Sequence, residues 1–133
     1  MTSSSARPSH ILLAEDHPAV LDATRLLLTL SGYRVSAVPT FARAIDQANR
    51  HRDIDLLITD FHIGLDQGID LIRSVRAIVG DQLKAVVTTG DIGVSESEIE
   101  SHNGIRLARK PFKPEELLGL IKELLQAGPV KSV

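Results

Sequence analysis

The sequence predicts a doubly wound α/β domain, a parallel sheet with helices on both faces, and three observations carry that prediction. Short apolar runs alternate with longer amphipathic segments five times along the chain. That rhythm is the pattern of a parallel sheet covered by crossover helices. Several of the runs are apolar throughout rather than alternating, as strands buried on both faces are. At 133 residues the chain has the length of one domain with a single sizeable core.

The elements follow in order. "HILLA" (10–14) reads as the first strand. Pro18 opens a helix, where its missing N–H costs nothing, and Gly32 closes it. "YRVSAV" (33–38) is the second strand, and Phe41, Ala44, Ile45 and Ala48 then share one helical face. "DIDLLITD" (53–60) is the third strand. A Gly-containing loop follows, and then a helix that turns Leu71, Ile72, Val75, Ile78 and Val79 inward. "LKAVVTTG" (83–90) is the fourth strand. Ser95 and Glu98 stand at capping-box spacing for a short helix whose one large apolar residue is Ile99, so weak docking is expected. "GIRLA" (104–108) is the fifth strand. Pro114 begins a last helix with Leu117, Leu118, Ile121, Leu124 and Leu125 on its inner face.

Composition narrows the function classes. Hydrophobic residues make up 43% and charged residues 24%, an ordinary balance for a globular chain. Aromatics are 3%, so the core is aliphatic. With no Cys, disulfides, thiolate metal sites and cysteine nucleophiles are excluded. A net charge of −2 argues against a general nucleic-acid binder. No stretch approaches a membrane span, and "MTSSSARPSH" lacks the apolar core of a signal peptide. The expectation is a cytoplasmic protein with a flexible leader over 1–8, one domain over 9–127 and a flexible tail over 128–133.

Ligands of doubly wound sheets bind at the carboxyl ends of the strands. Four of the five predicted strands end there in polar chemistry: Glu15 and Asp16, then Asp60, Thr89 and Lys110. Any one of these would be read equally well as a helix cap. Two carboxylates ~4 Å apart repel by roughly 4 kcal/mol at an effective dielectric of ~20. Gathered acids therefore require a cation, and a hard divalent ion such as Mg²⁺ suits an all-oxygen site. A carboxylate beside Mg²⁺, a Lys and a hydroxyl fits phosphoryl transfer onto the carboxylate itself.

With the acidic pair Glu15-Asp16, "LLITD" ending in Asp60, "VVTTG" with Thr89, and "RKPF" with Lys110-Pro111-Phe112, the chain resembles the receiver domain of a two-component response regulator over roughly residues 9 to 127. The resemblance implies a flavodoxin-like three-layer (βα)5 sandwich with strand order 2-1-3-4-5. It implies that Asp60 accepts a phosphoryl group from a histidine kinase or phosphotransfer protein. It makes Asp16 and Asp60 direct Mg²⁺ ligands (Mn²⁺ as a substitute), the His62 backbone carbonyl a third, and Glu15 a ligand through water. Thr89 and Lys110 would hold phosphate oxygens, and the peptide before Pro111 is expected to be cis. The implied protein is a signalling switch, with no turnover beyond accepting and losing its own phosphoryl group. It would act on an unidentified downstream protein or form a homodimer through the fourth helix, fifth strand and fifth helix.

Three positions depart from the family pattern. Leu107 stands where an aromatic usually follows the Thr in switching. Gly64 replaces a common Pro, so the loop after Asp60 is expected to be more mobile. His62 and Asp91, two residues beyond Asp60 and Thr89, are expected to tune the phosphoryl lifetime. His62 also admits readings as a metal ligand or general base, against a solvated loop histidine. His10, His17, His51 and His102 show no ligand spacing and are expected at the surface, as is "NRHRD" (49–53) at a helix end.

Other readings remain open at this point. The chain could be a receiver excised from a hybrid kinase or larger regulator. A haloacid-dehalogenase-type phosphatase using an aspartyl phosphate needs an Asp where His62 stands. A nucleotide or flavin binder lacks G-x-G-x-x-G after the first strand.

Overall fold

A computed structural model describes residues 7–128. The parts of the expected leader and tail at 1–6 and 129–133 lie outside the described residues. Among the described residues, seven strands and five helices run in the order β1 (His10–Ala14), α1 (Pro18–Leu30), β2 (Arg34–Val38), α2 (Phe41–Arg50), β3 (Leu56–Asp60), β4 (His62–Ile63), β5 (Asp66–Gln67), α3 (Gly68–Val79), β6 (Lys84–Thr89), α4 (Glu96–Glu100), β7 (Ile105–Arg109) and α5 (Pro114–Gln126). The main sheet is β2-β1-β3-β6-β7, parallel throughout. Counting the sheet's own strands, this is the expected order 2-1-3-4-5.

Strand position explains strand composition. β1, β3 and β6 lie between neighbours, and every residue from His10 to Ala14, Leu56 to Thr59 and Lys84 to Thr89 is buried. β2 lies at an edge and is mostly half-exposed. Side chains still alternate between the faces. Leu12, Ala14, Leu57, Ala85 and Val87 pack with Ala44, Ala48, Leu71, Ile72, Val75 and Ile99, from α2, α3 and α4. Ile11, Leu13, Leu56, Ile58 and Val86 pack with Leu28, Leu117, Ile121 and Leu124, from α1 and α5. The result is three layers over two aliphatic cores.

One local feature differs from the expectations. The loop after Asp60 is a small antiparallel hairpin, β4 with β5. Gly64 sits at its turn with φ +61, a left-handed conformation that favours glycine. Its N–H donates to Asp16 Oδ2 at 2.9 Å, so the turn is tied to the site rather than simply loose. The short α4 buries Ile99 alone, as expected, and gains polar contacts around it. Arg106 pairs with Glu100 at 3.0 Å and with Glu123 of α5, and Glu100 also accepts the Leu107 N–H. Arg109 donates to the carbonyls of Asp91 and Val94 ahead of the helix. Polar tethers replace the missing apolar contacts.

Candidate functional site

Each acidic residue reaches the rim because a strand ends there. β1 and β3 are neighbours, with Ala14 opposite Thr59. The residues just past that register, Glu15, Asp16 and Asp60, therefore emerge side by side. One carboxylate oxygen from each lies within 4.8 Å of the other two. Glu15 is buried at 2% exposure, Asp60 is half-buried and Asp16 is exposed.

A cation from the far side of the sheet offsets this charge. Lys110 follows β7, and its Nζ donates to Glu15 Oε1 at 2.6 Å and to Asp60 Oδ2 at 3.1 Å. Burial pulls the ammonium pKa down, but the Glu15 hydrogen bond and the Asp60 charge outweigh it, and the pKa ends above the ordinary lysine value. The Lys110–Pro111 peptide is cis, as expected.

Hydrogen bonds orient the rest. Glu15 Oε2 accepts the His17 N–H at 3.1 Å, so both Glu15 oxygens are engaged. Asp16 Oδ2 holds Gly64, and Asp60 Oδ2 holds Lys110. Among the described residues, Oδ1 of Asp16 and Oδ1 of Asp60 take no hydrogen bond. Two free carboxylate oxygens beside a third acid are donors of the kind Mg²⁺ accepts, so the residues present fit a hard dication. Thr89 is 1% exposed, and its Oγ1 accepts the Asp91 N–H at 3.0 Å. That bond fixes the oxygen and leaves the hydroxyl proton free to donate.

Backbone crowding adds a constraint that residue patterns alone did not reveal. The Gly68 N–H donates to the Phe61 carbonyl at 2.7 Å, bringing the start of α3 against the end of β3. A Cβ at Gly68 would sit 2.3 Å from the Asp60 carbonyl oxygen. The strand end carrying Asp60 is thus packed directly under a glycine.

The two positions singled out beside the acceptor meet each other. His62 Nε2 lies 3.2 Å from Asp91 Oδ2, bridging the loops after β3 and β6, and both side chains are about half exposed. The Gly93 N–H and then His62 hold the Asp91 carboxyl below its usual range. Leu107 is buried on β7. It is therefore a core residue, with no ring to reorient.

Away from the rim, the expected surface placement fails at His10 and holds only in part at His51 and Asp53. His10 is not a surface residue: it is 2% exposed, with Nδ1 3.1 Å from Asp53 Oδ1 and Nε2 2.8 Å from Ser36 Oγ. His51 is half-buried with its ring against His10, whereas His17 and His102 are exposed as expected. Asp53 is also not simply solvated. Its hydrogen bonds from Arg34 and then His10 hold its carboxyl well below the usual range. Position 10 opens a strand whose five residues are all buried, which an apolar-run reading cannot distinguish from a strand's wet end.

Comparison with known proteins agrees with this geometry. Residues 11–122 match the response regulator receiver domain family, so the chain belongs to that family. It is 31% identical over 127 residues to the two-component response regulator PprB of Pseudomonas aeruginosa, covering 93% of this chain and 46% of that protein. It is 29% identical to the response regulator protein TodT of Pseudomonas putida, covering 94% of this chain and 55% of that protein. The chain thus spans about half the length of these curated relatives. Among solved structures, a response regulator receiver protein from Sinorhizobium medicae superposes with a TM-score of 0.81 at 26% identity, covering 94% of this chain and 98% of that one. The receiver domain of the sensor histidine kinase PA1611 of P. aeruginosa gives a TM-score of 0.77 at 25% identity, covering 90% and 99%. That domain holds a magnesium ion in its active-site cleft.

Proposed function

We propose that this receiver domain is a phosphorylation switch in which Asp60 is the phosphoryl acceptor. The observation that carries the reading is the Lys110 ammonium bonded to both Glu15 and Asp60, with Asp16 alongside. Three acids and one lysine at one rim form an anionic cup whose remaining deficit a divalent cation would balance. In the proposed reaction an Asp60 oxygen bonds to the phosphorus of a phosphohistidine on a kinase or phosphotransfer protein. The P–N bond breaks, and the imidazole leaves with its electron pair and takes up a proton. Lys110 and the Thr89 hydroxyl hold phosphoryl oxygens. Asp16, Asp60 and the His62 carbonyl would hold Mg²⁺, with Glu15 reaching it through water. When bound, Mg²⁺ supplies neutralisation of the phosphoryl charge, and Mn²⁺ is the natural substitute.

His62 and Asp91 then set how long the modification lasts. The output surface is α4, β7 and α5, where Arg106 joins Glu100 and Glu123. A downstream protein or a second copy of the chain docks there. The protein is a switch rather than a turnover enzyme, and it works in the cytoplasm beside its kinase. Among the described residues no helix is long and apolar enough to cross a membrane.

Incubation with Mg²⁺ and a small phosphodonor tests the acceptor. Intact mass should rise by one phosphoryl group, with no rise for Asp60→Asn. An unchanged wild-type mass would remove the reading.

A further inference from the structure

The cluster at the opposite end of the sheet has no part in phosphoryl transfer. His10 opens β1 and Glu15 follows its last residue, so the two ends lie about 16 Å apart at ~3.3 Å per residue. We propose that His10, His51 and Asp53 form a site for a first-row transition-metal dication of the Zn²⁺ class.

Three groups converge there. His10, His51 and Asp53 each offer one ligand atom, all within 4.8 Å of one another. His10 Nδ1 and Asp53 Oδ1 are already 3.1 Å apart. That is close to the ~3.3 Å edge of a tetrahedron whose metal–ligand bonds are ~2.0–2.1 Å. His51 caps the end of α2, half-buried, with its ring edge-on to His10 at a centroid distance of 5.3 Å. The two edges to His51 are no longer than 4.8 Å, and a side-chain rotation about its χ1 or χ2 would shorten them.

The atoms behind these ligands are held as a metal site requires. Ser36 Oγ fixes His10 Nε2 at 2.8 Å, and Arg34 Nη1 fixes Asp53 Oδ2 at 2.7 Å. Such outer partners set which nitrogen and which oxygen face the ion. In the metal-free protein a proton bridges Nδ1 and Oδ1. The dication would take its place on Nδ1, and the imidazole N–H would shift to Nε2, where Ser36 Oγ can accept it.

Charge and donor type select the ion. Two imidazoles and one carboxylate suit Zn²⁺, Co²⁺ or Ni²⁺, whereas Mg²⁺ prefers oxygen donors alone. Around the ligands, Asp55 accepts the His10 backbone N–H at 2.8 Å, and Arg7 approaches Asp53 at 4.0 Å. Two carboxylates thus stand against two guanidiniums before the ion arrives, so binding is modest and the fourth position stays open. The consequence is a clamp joining the start of β1 to the loop between α2 and β3.

The test is a Zn²⁺ titration by calorimetry with millimolar Mg²⁺ present to occupy the acidic rim. Imidazole ¹⁵N resonances are followed in parallel. The expected result is one equivalent of Zn²⁺ bound, with the His10 and His51 signals moving together. His51→Ala, at a half-exposed position, should melt like the wild type in EDTA yet bind Zn²⁺ at least tenfold more weakly. Co²⁺ should give visible absorption bands characteristic of nitrogen ligation that His51→Ala loses. Equal Zn²⁺ affinity in wild type and His51→Ala would overturn the proposal. So would resonance changes confined to His17 and His62, or no Zn²⁺ binding above the Mg²⁺ background.

Discussion

Lys110→Met keeps the aliphatic stem and removes the ammonium that bonds both Glu15 and Asp60. With their oxygens within 4.8 Å of one another, each carboxylate pair repels by about 3.5 kcal/mol or more at an effective dielectric of ~20. The ion pairs lost are neither fully buried nor on the open surface: the side chain of Lys110 is 24% exposed, that of Asp60 16% and that of Glu15 3%. Exposed pairs contribute ~0–1 kcal/mol, and breaking a buried one costs ~3–5 kcal/mol. The intermediate exposure places the cost at about 2–3 kcal/mol. For a chain of this size that is a drop in Tm on the order of 10 °C. The assay is thermal unfolding in EDTA and again in millimolar Mg²⁺. Mg²⁺ should raise the Tm of both proteins, because it binds only where the acids are assembled. It should also recover part of the deficit in the variant. The reasoning is refuted if the variant melts within about 2 °C of wild type in EDTA, or if Mg²⁺ moves neither curve.

Asp60→Asn acts in the opposite sense. It relieves repulsion from Asp16 while keeping a group that can accept from Lys110, so metal-free stability should rise by roughly 0.5–1.5 kcal/mol, read from urea unfolding in EDTA. Gly68→Ala should destabilise by about 2–4 kcal/mol, as overpacking against backbone does. The added Cβ would lie 2.3 Å from the Asp60 carbonyl oxygen, and the same melts check it. Asp53 has its folded pKa depressed by Arg34 and His10. Its contribution is fully present above the unfolded value of about 3.9 and is lost as pH falls toward the folded one. In EDTA, Asp53→Asn should therefore show a shallower stability loss below about pH 4 than wild type. An unchanged acid slope would mean that the Arg34 and His10 bonds do not persist in solution.

Strand ends proved to be the legible part of this chain. Apolar runs locate β1, β3 and β6, and each ends in, or immediately before, a polar residue that the structure brings to the rim. Asp60, Asp16, Glu15 and Lys110 were readable because strand-end chemistry and the family motifs coincide. The features that escaped are contacts between distant positions. The His62–Asp91 pair spans 29 residues, and the His10–Asp53 pair spans 43. Neither leaves a periodic trace, because one polar pair needs no repeat. The β4–β5 hairpin is two residues on each side, too short for a period-2 pattern. The polar contacts around α4 come from the guanidiniums of Arg106 and Arg109 on β7. Apolar spacing says nothing of a helix held by charge.

The most direct measurement is a crystal structure with Mg²⁺ and beryllofluoride bound. The predicted result is fluoride-bearing beryllium on an Asp60 carboxylate oxygen, contacted by Lys110 and Thr89. The ion should sit on Asp16, Asp60 and the His62 carbonyl. Beryllium elsewhere, or a magnesium ion that leaves Asp16 and Asp60 untouched, would contradict the account at its centre.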